Sequence, residues 1–424
     1  MLRIVPSANR RAVGERLSAA RIRDRATESR VSDIVTRVRR SGDAALERFA
    51  RTLDGNAGPL EVHRRTWETE AAALPRDVRR AIRRAARHIR SVARRQVPKG
   101  WRHRVARGIT VEQRVVPLTR VGCYVPAGRY PLPSSLLMTA IPARAAGVAE
   151  VVVCCPRPDA AVYAAAIEAG VDRLFQIGGA HAIAALAYGT RTVPRVDKIV
   201  GPGNRWVSAA KTLVSPDCGI DFYAGPTEIL IVTATGPARW IAADLIAQAE
   251  HDPDARAVLI TTSARLAKQV AAEVERQMPV AGPARQSLSK HGGVIVCPSM
   301  AQAIDLANRA AAEHVVAGTE SIAAGVVNAG AVFVGAWTAQ VAGDYAIGSN
   351  HVLPTAGAAR FRGGLSAADF VKLVSVQRMS RGGLKSIGTT ITTLARAEGL
   401  EAHARSIEVR GAPAARTGRG GEGL

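Results

Sequence analysis

Aromatic side chains make up only 4% of the 424 residues, so the stacking platforms that a single-strand nucleic-acid groove needs are scarce. Cysteine is sparse too. The five present (Cys123, Cys154, Cys155, Cys218 and Cys297) are odd in number, show no CxxC spacing and sit mostly in apolar, strand-like runs. That pattern excludes a disulfide framework and a thiolate zinc finger, and leaves buried, reduced thiols. No uninterrupted run of 18 apolar residues occurs, and no apolar stretch follows the charged N-terminus. A membrane-spanning helix and a secretory leader are therefore not expected, and the chain reads as cytoplasmic, with no membrane partner.

What is present is a hydrophobic content of 47%, enough at this length for a substantial core and two or more domains. The net charge of +23 is concentrated at one end: residues 1–110 carry 28 Lys plus Arg against 11 Asp plus Glu. Stretches such as Arg79-Arg80-Ala81-Ile82-Arg83-Arg84 read as solvated helix faces, not as a patch interleaved with aromatics, so no nucleic-acid partner is expected.

From Ala12 to about Arg95 the apolar spacing is helical, with Gly42 and Gly55 as stops and Pro98 and Gly100 closing the region. Short β-branched runs then alternate with Ala-rich helical runs. Val151–Cys155, Leu174–Ile177 and Val196–Val200 read as strands, separated by helices over Ala160–Ala169 and Ala180–Tyr188. A second cycle places strands at Glu228–Val232, Val258–Thr262, Val294–Cys297 and Ala331–Gly335, with helices at Trp240–Glu250, Leu266–Met278 and Ala301–Ala311. Strict alternation of this kind demands parallel sheets, and two such cycles predict an α/β fold of two incomplete Rossmann-like domains with a cleft between them, plus small N-terminal and C-terminal helical segments.

The expected division is a helical arm over 1–20, a discontinuous first domain of 21–123 and 227–365, a second domain of 124–226, a helical segment over 366–410, and a disordered tail of Gly, Ala and Arg over 411–424. The only GxGxxG match (Gly418, Gly420, Gly423) falls in that tail with no strand before it, and is a chance match. Better phosphate-loop candidates end strands of the first cycle: Gly178-Gly179 and Gly201-Pro202-Gly203-Asn204, although ordinary βα turns look the same.

Gln248-Ala249-Glu250-His251-Asp252 closes a helix. Gln248 and His251, three apart, share a face and make half of a borderline metal site, against the plain alternative of a helix-end histidine. Asp344, His351 and His403 lie in polar contexts and are further candidate ligands. Glu313-His314 precedes a short apolar strand, where a carboxylate and an imidazole could divide base work between an alcohol and a water; a surface dipeptide is the alternative.

Together these segments resemble the histidinol dehydrogenase family. The resemblance spans roughly 120–410 and rests on Ile220-Asp221-Phe222-Tyr223-Ala224-Gly225-Pro226-Thr227-Glu228, Gln248 to Asp252, Gly348-Ser349-Asn350-His351-Val352-Leu353-Pro354-Thr355, and Glu398-Gly399-Leu400 followed by His403. It implies a homodimer that oxidises a small alcohol by four electrons with two NAD, L-histidinol to L-histidine by way of the aldehyde. It also implies one zinc per active site on Gln248, His251 and Asp344, with His403 supplied by the partner subunit. His314 is then the general base and Glu313 activates water. Thr227, Gln248, His251, His314, Asp344, His351, Glu398 and His403 match substrate-contacting positions; Tyr124, His181 and Asn204 match NAD-contacting ones.

Two departures touch these segments. Ala312 stands where proline commonly precedes Glu-His, loosening φ there. His181 replaces a common glutamine and can still donate or accept a hydrogen bond. Arg129-Tyr130 adds a cation and an aromatic beside the cofactor loop, a feature that would suit a related zinc and NAD dehydrogenase acting on a sulfonated or phosphonated diol.

Overall fold

The computed structural model describes residues 2–18, 24–126, 132–222 and 225–411. Of the tail expected over 411–424, Gly411 closes the helix Glu401–Gly411, while residues 412–424, with the GxGxxG match, and Arg129-Tyr130 lie outside the described residues. The chain divides into two compact units, one of Met1–Val97 and Pro117–Phe370, the other of Pro98–Val116 and Val371–Leu424.

Fourteen strands are described in chain order. β1 is Ile4–Pro6, β2 Trp101–Ala106, β3 Ile109–Pro117, β4 Arg120–Tyr124 and β5 Glu150–Cys154. β6 is Arg173–Phe175, β7 Lys198–Val200, β8 Gly219–Ile220, β9 Glu228–Val232 and β10 Arg256–Thr261. β11 is Gly293–Val296, β12 His314–Ala317, β13 Ala331–Val334 and β14 Val371–Met379.

The larger unit holds two parallel sheets, in the orders β6-β5-β4-β7-β8 and β1-β11-β10-β9-β12-β13. Beyond its first residue each central strand is largely apolar without alternation, as burial on both faces requires: all five residues of β9 are buried, and so are Val151, Val152, Val153 and Cys154 of β5. Both sheets carry the expected α/β alternation, with most bounds within two residues of the sequence reading. All five cysteines are free and buried. Among the described residues no helix is long and apolar enough to cross a membrane.

The terminal segments differ from expectation. The N-terminal arm is not wholly helical, because Ile4-Val5-Pro6 pairs in register with Val294-Ile295-Val296 and completes the six-stranded sheet. The C-terminal segment contains the nine-residue β14, whose Val371, Val374 and Val376 favour an extended chain. In the smaller unit β14 joins β2 and β3. The helices between 25 and 96 also differ from the proposed grouping with 227–365. In Arg25–Phe49, which kinks at Gly42, the residues Val31, Val35 and Val38 repeat at helical spacing and pack with Phe175, Ile183 and Leu186 over the five-stranded sheet.

Candidate active site

β12 lies between β9 and β13, and its first residue, His314, pairs with Ile229. Glu313 and His314 therefore stand at the amino end of an interior strand, beside Glu228, and both are buried: a surface dipeptide is excluded. Ala312 does not leave the pair loose, since the Gly330 N–H donates to its carbonyl at 3.0 Å and the Ala331 N–H to that of Glu313 at 2.9 Å.

The imidazole of His314 is oriented by the Glu228 carbonyl, 3.0 Å from Nδ1. A carbonyl only accepts, so Nδ1 carries the proton and Nε2 bears the lone pair. Nε2 is buried without a hydrogen-bond partner, and burial lowers the ring's pKa, which keeps it neutral and basic at Nε2. Next to it, burial pushes the Glu313 carboxyl up to about 8 against the lowering effect of its donors, the Thr227 hydroxyl and the Glu228 N–H, with Asp344 raising it further. Thr227 in turn accepts from Gln248 Nε2, so Gln248, Thr227 and Glu313 form one relay.

That relay leaves Gln248 Oε1 buried and unpartnered. His251 lies one turn beyond it, past the helix Ala238–Ala249 rather than on it; its N–H reaches back to the Gln248 carbonyl at 3.4 Å, and the turn keeps the two together. Asp344, in the short helix Val341–Tyr345, accepts from Gln340 Nε2 at one oxygen (2.7 Å) and sets the other 3.8 Å from His314 Nε2. A cleft of about 220 Å³ brings Thr227, His251, Glu313, His314, Asp344 and His351 together.

Does this set fit a metal? Among the described residues no three His, Cys, Asp or Glu converge as a metal group. The Gln248 amide oxygen is a further donor, and an amide oxygen buried with nothing to bind needs a partner. One amide oxygen, one imidazole and one carboxylate are a donor set for a borderline divalent cation. The residues fit.

His351 lines the same cleft with both ring nitrogens engaged, Nδ1 to the Asp344 carbonyl at 3.0 Å and Nε2 to the Ser135 hydroxyl at 3.1 Å. Burial holds its pKa down at about 4, so it is neutral. Glu398 and His403 belong to the smaller unit, at the end of the helix Arg381–Ala397 and in the first turn of Glu401–Gly411, and both are exposed.

The cofactor candidates gather at the carboxyl end of the five-stranded sheet, where strand order reverses between β4 and β7. In sheets of this type that reversal is where dinucleotides bind. Tyr124 ends β4, and its hydroxyl accepts from the Gly179 N–H at 3.1 Å. Asp54 accepts from Gly178 N–H (2.9 Å) and from His181 Nε2 (2.8 Å), while His181 Nδ1 is buried and unpartnered. Asn204 caps the helix Arg205–Val214 with its side-chain oxygen. Gly201 has φ +118°, and a Cβ there would stand 2.1 Å from the Tyr124 carbonyl oxygen, so no other residue fits.

Sequence reasoning missed Glu228, Gln340, Asp54 and Ser135, and also Lys211, whose Nζ donates to the Gly201 carbonyl at 2.9 Å. Glu228 carried a signal, a carboxylate opening an otherwise apolar strand. Ser135 meets His351 across 216 positions and carried none.

Comparison with known proteins agrees with this geometry. The histidinol dehydrogenase family model matches residues 17–411. A histidinol dehydrogenase of Methylococcus capsulatus is 48% identical over 397 residues, 90% of this chain and 91% of the relative. One of Pseudomonas syringae pv. syringae is 45% identical over 410 residues, 93% of this chain and 91% of the relative. The crystal structure of histidinol dehydrogenase from Elizabethkingia anophelis superposes with a TM-score of 0.91 at 30% identity, covering 96% of this chain and 98% of that one. The chain belongs to the histidinol dehydrogenase family.

Proposed function

We propose that the chain oxidises L-histidinol to L-histidine by way of the aldehyde, reducing two NAD in turn, as the last step of histidine synthesis in the cytoplasm. The observation that carries this reading is His314, a neutral buried imidazole tied at Nδ1 with an unpartnered Nε2 in the cleft. Nε2 takes the hydroxyl proton while hydride leaves the carbinol carbon for the nicotinamide. Glu313, in the ionised form that its Thr227 and Glu228 donors favour, then takes a proton from the water that adds to the aldehyde, and His314 deprotonates the resulting hydrate as a second hydride leaves for a second NAD. One alcohol, two NAD and one water thus give one carboxylate, two NADH and three protons.

Gln248 Oε1, His251 and Asp344, with His403 from a second copy of the chain, would hold zinc, which would supply a positive centre for orienting the substrate nitrogens. Thr227, His351 and Glu398 complete the substrate contacts, and Tyr124, His181 and Asn204 those to NAD. The homodimer reading is supported by the apolar surface of the smaller unit, where Trp101, Leu373, Met379, Leu394 and Val409 are exposed.

The zinc-loaded protein is expected to form two NADH per L-histidinol. Turnover of a sulfonated or phosphonated diol with none of histidinol would overturn the assignment. In Glu313→Gln the ratio is expected to fall from two towards one with aldehyde released, because only the second oxidation needs an activated water; an unchanged ratio removes Glu313 from that role.

Gln340 holds one Asp344 oxygen and so frees the other for the metal. Gln340→Leu is expected to weaken zinc binding by about 10- to 100-fold, read by competition with a chromophoric chelator. Equal affinities would show that Asp344 needs no such support.

A further inference from the structure

The six-stranded sheet has two ends, and the residues described above occupy only one. Glu228 and His314 open β9 and β12, so the cleft lies at the amino ends of these strands. Ligands of doubly wound sheets bind instead at the carboxyl ends, in the crevice where strand order reverses. Here that reversal falls between β9 and β12: β10 and β11 extend the sheet to one side of β9, β12 and β13 to the other.

A second cavity, of about 100 Å³, lies at that point. It is lined by Thr233 and Thr235 after β9, Gly318 after β12, Thr338 after β13, and Trp240 and Asp244 of the helix Ala238–Ala249. Folding alone leaves two features of it unexplained. Asp244 is half-buried with no hydrogen bond or ion pair among the described residues, and burial by itself pushes its carboxyl up to about 6. A half-buried carboxyl that no protein group donates to is open to a ligand's donor. Trp240 and Trp337 pack together beside the cavity with ring centroids 5.0 Å apart and planes inclined by 56°, yet they are 40% and 89% exposed. Two indoles left in water at one place mark a binding surface for something flat.

We propose that this crevice binds a small planar heteroaromatic ring that bears N–H donors, packed against the inclined indole pair with its N–H on the Asp244 carboxylate. The cavity volume admits a single ring and excludes a dinucleotide, which separates this site from the cofactor region on the other sheet. An imidazole and a free pyrimidine base share this chemistry. Thr235 and Thr338 offer hydroxyls that can donate to a ring nitrogen or carbonyl as well as accept, so both kinds of ring can be satisfied.

The test is a tryptophan-fluorescence titration of the full-length protein with imidazole and, separately, with cytosine, in the wild type, Asp244→Asn and Trp337→Ala. Saturable quenching is expected with at least one probe. It should weaken tenfold or more in Asp244→Asn and vanish in Trp337→Ala, while NADH formation from histidinol stays at the wild-type rate in both. Which probe saturates decides between the two ring classes. Imidazole taken up elsewhere, for instance by an active-site metal, would quench equally in Asp244→Asn, and that result overturns the proposal. So does the absence of saturable quenching by either probe. Asp244→Asn is isosteric and Trp337 is almost wholly solvent-exposed, so neither substitution threatens the fold.

Discussion

His314→Ala is expected to lower kcat for histidinol oxidation by about 10²- to 10⁴-fold, the usual contribution of a positioned general base. The size follows from how completely the ring is committed to one task. Its Nδ1–H is spent on the Glu228 carbonyl, and burial favours the neutral form. The lone pair on Nε2 is thus available across the neutral range without a prior deprotonation. The loss should fall on kcat far more than on KM, because Thr227, His251 and Asp344 keep their places around the cleft. Truncation also strands the Glu228 carbonyl, at a cost of about 1–3 kcal/mol. Zinc content and the urea midpoint must therefore be measured alongside the rate. A folded, zinc-loaded variant that keeps more than about a tenth of the turnover would show that another group takes the proton.

The fold was legible wherever the apolar period was uninterrupted. Helix Ala160–Ala169 and strand β9 match the sequence reading at both ends, because an N-cap aspartate and a left-handed Gly170 bracket the first and the continuous apolar run Ile229 to Val232 defines the second. β1 and β2 were hidden for physical reasons. β1 is three residues long and is held by its partner β11; β2 is exposed along its whole length and shows no apolar alternation.

Of the candidate site, residue types and order were readable, but not convergence. Gln248 and His251 are joined by a turn, not by the helix that their spacing suggested. The choice of Nε2 over Nδ1 in His314 depends on a carbonyl 86 positions away. Asp54, which bonds both His181 and Gly178, comes from a π-helical turn, Ala50–Asp54, that apolar periodicity does not reveal.

Lys211→Met is expected to destabilise the protein by about 3–5 kcal/mol, the cost of leaving a buried charge without its partner. Lys211 and Asp221 form an ion pair whose side chains are 3% and 1% exposed. Between them they clamp Gly201: Lys211 Nζ donates to its carbonyl at 2.9 Å, and the Asp221 carboxylate accepts its N–H at 2.7 Å. Asp221 also accepts the Phe222 N–H at 2.7 Å. The double variant Lys211→Met with Asp221→Asn should be more stable than the single one. It removes the stranded charge, and its amide oxygen can still accept one of the two N–H groups. If the pair served folding alone, cofactor binding would recover with stability. If it also holds the Gly201 turn in place for NAD, the double variant should keep a raised KM for NAD even where urea unfolding shows the fold restored. Equal unfolding free energies for the wild type and Lys211→Met would refute the clamp itself. A normal KM for NAD in the double variant would leave the clamp a structural role and assign the cofactor loop's geometry to Gly201 and Tyr124, whose backbones meet too closely for any side chain between them.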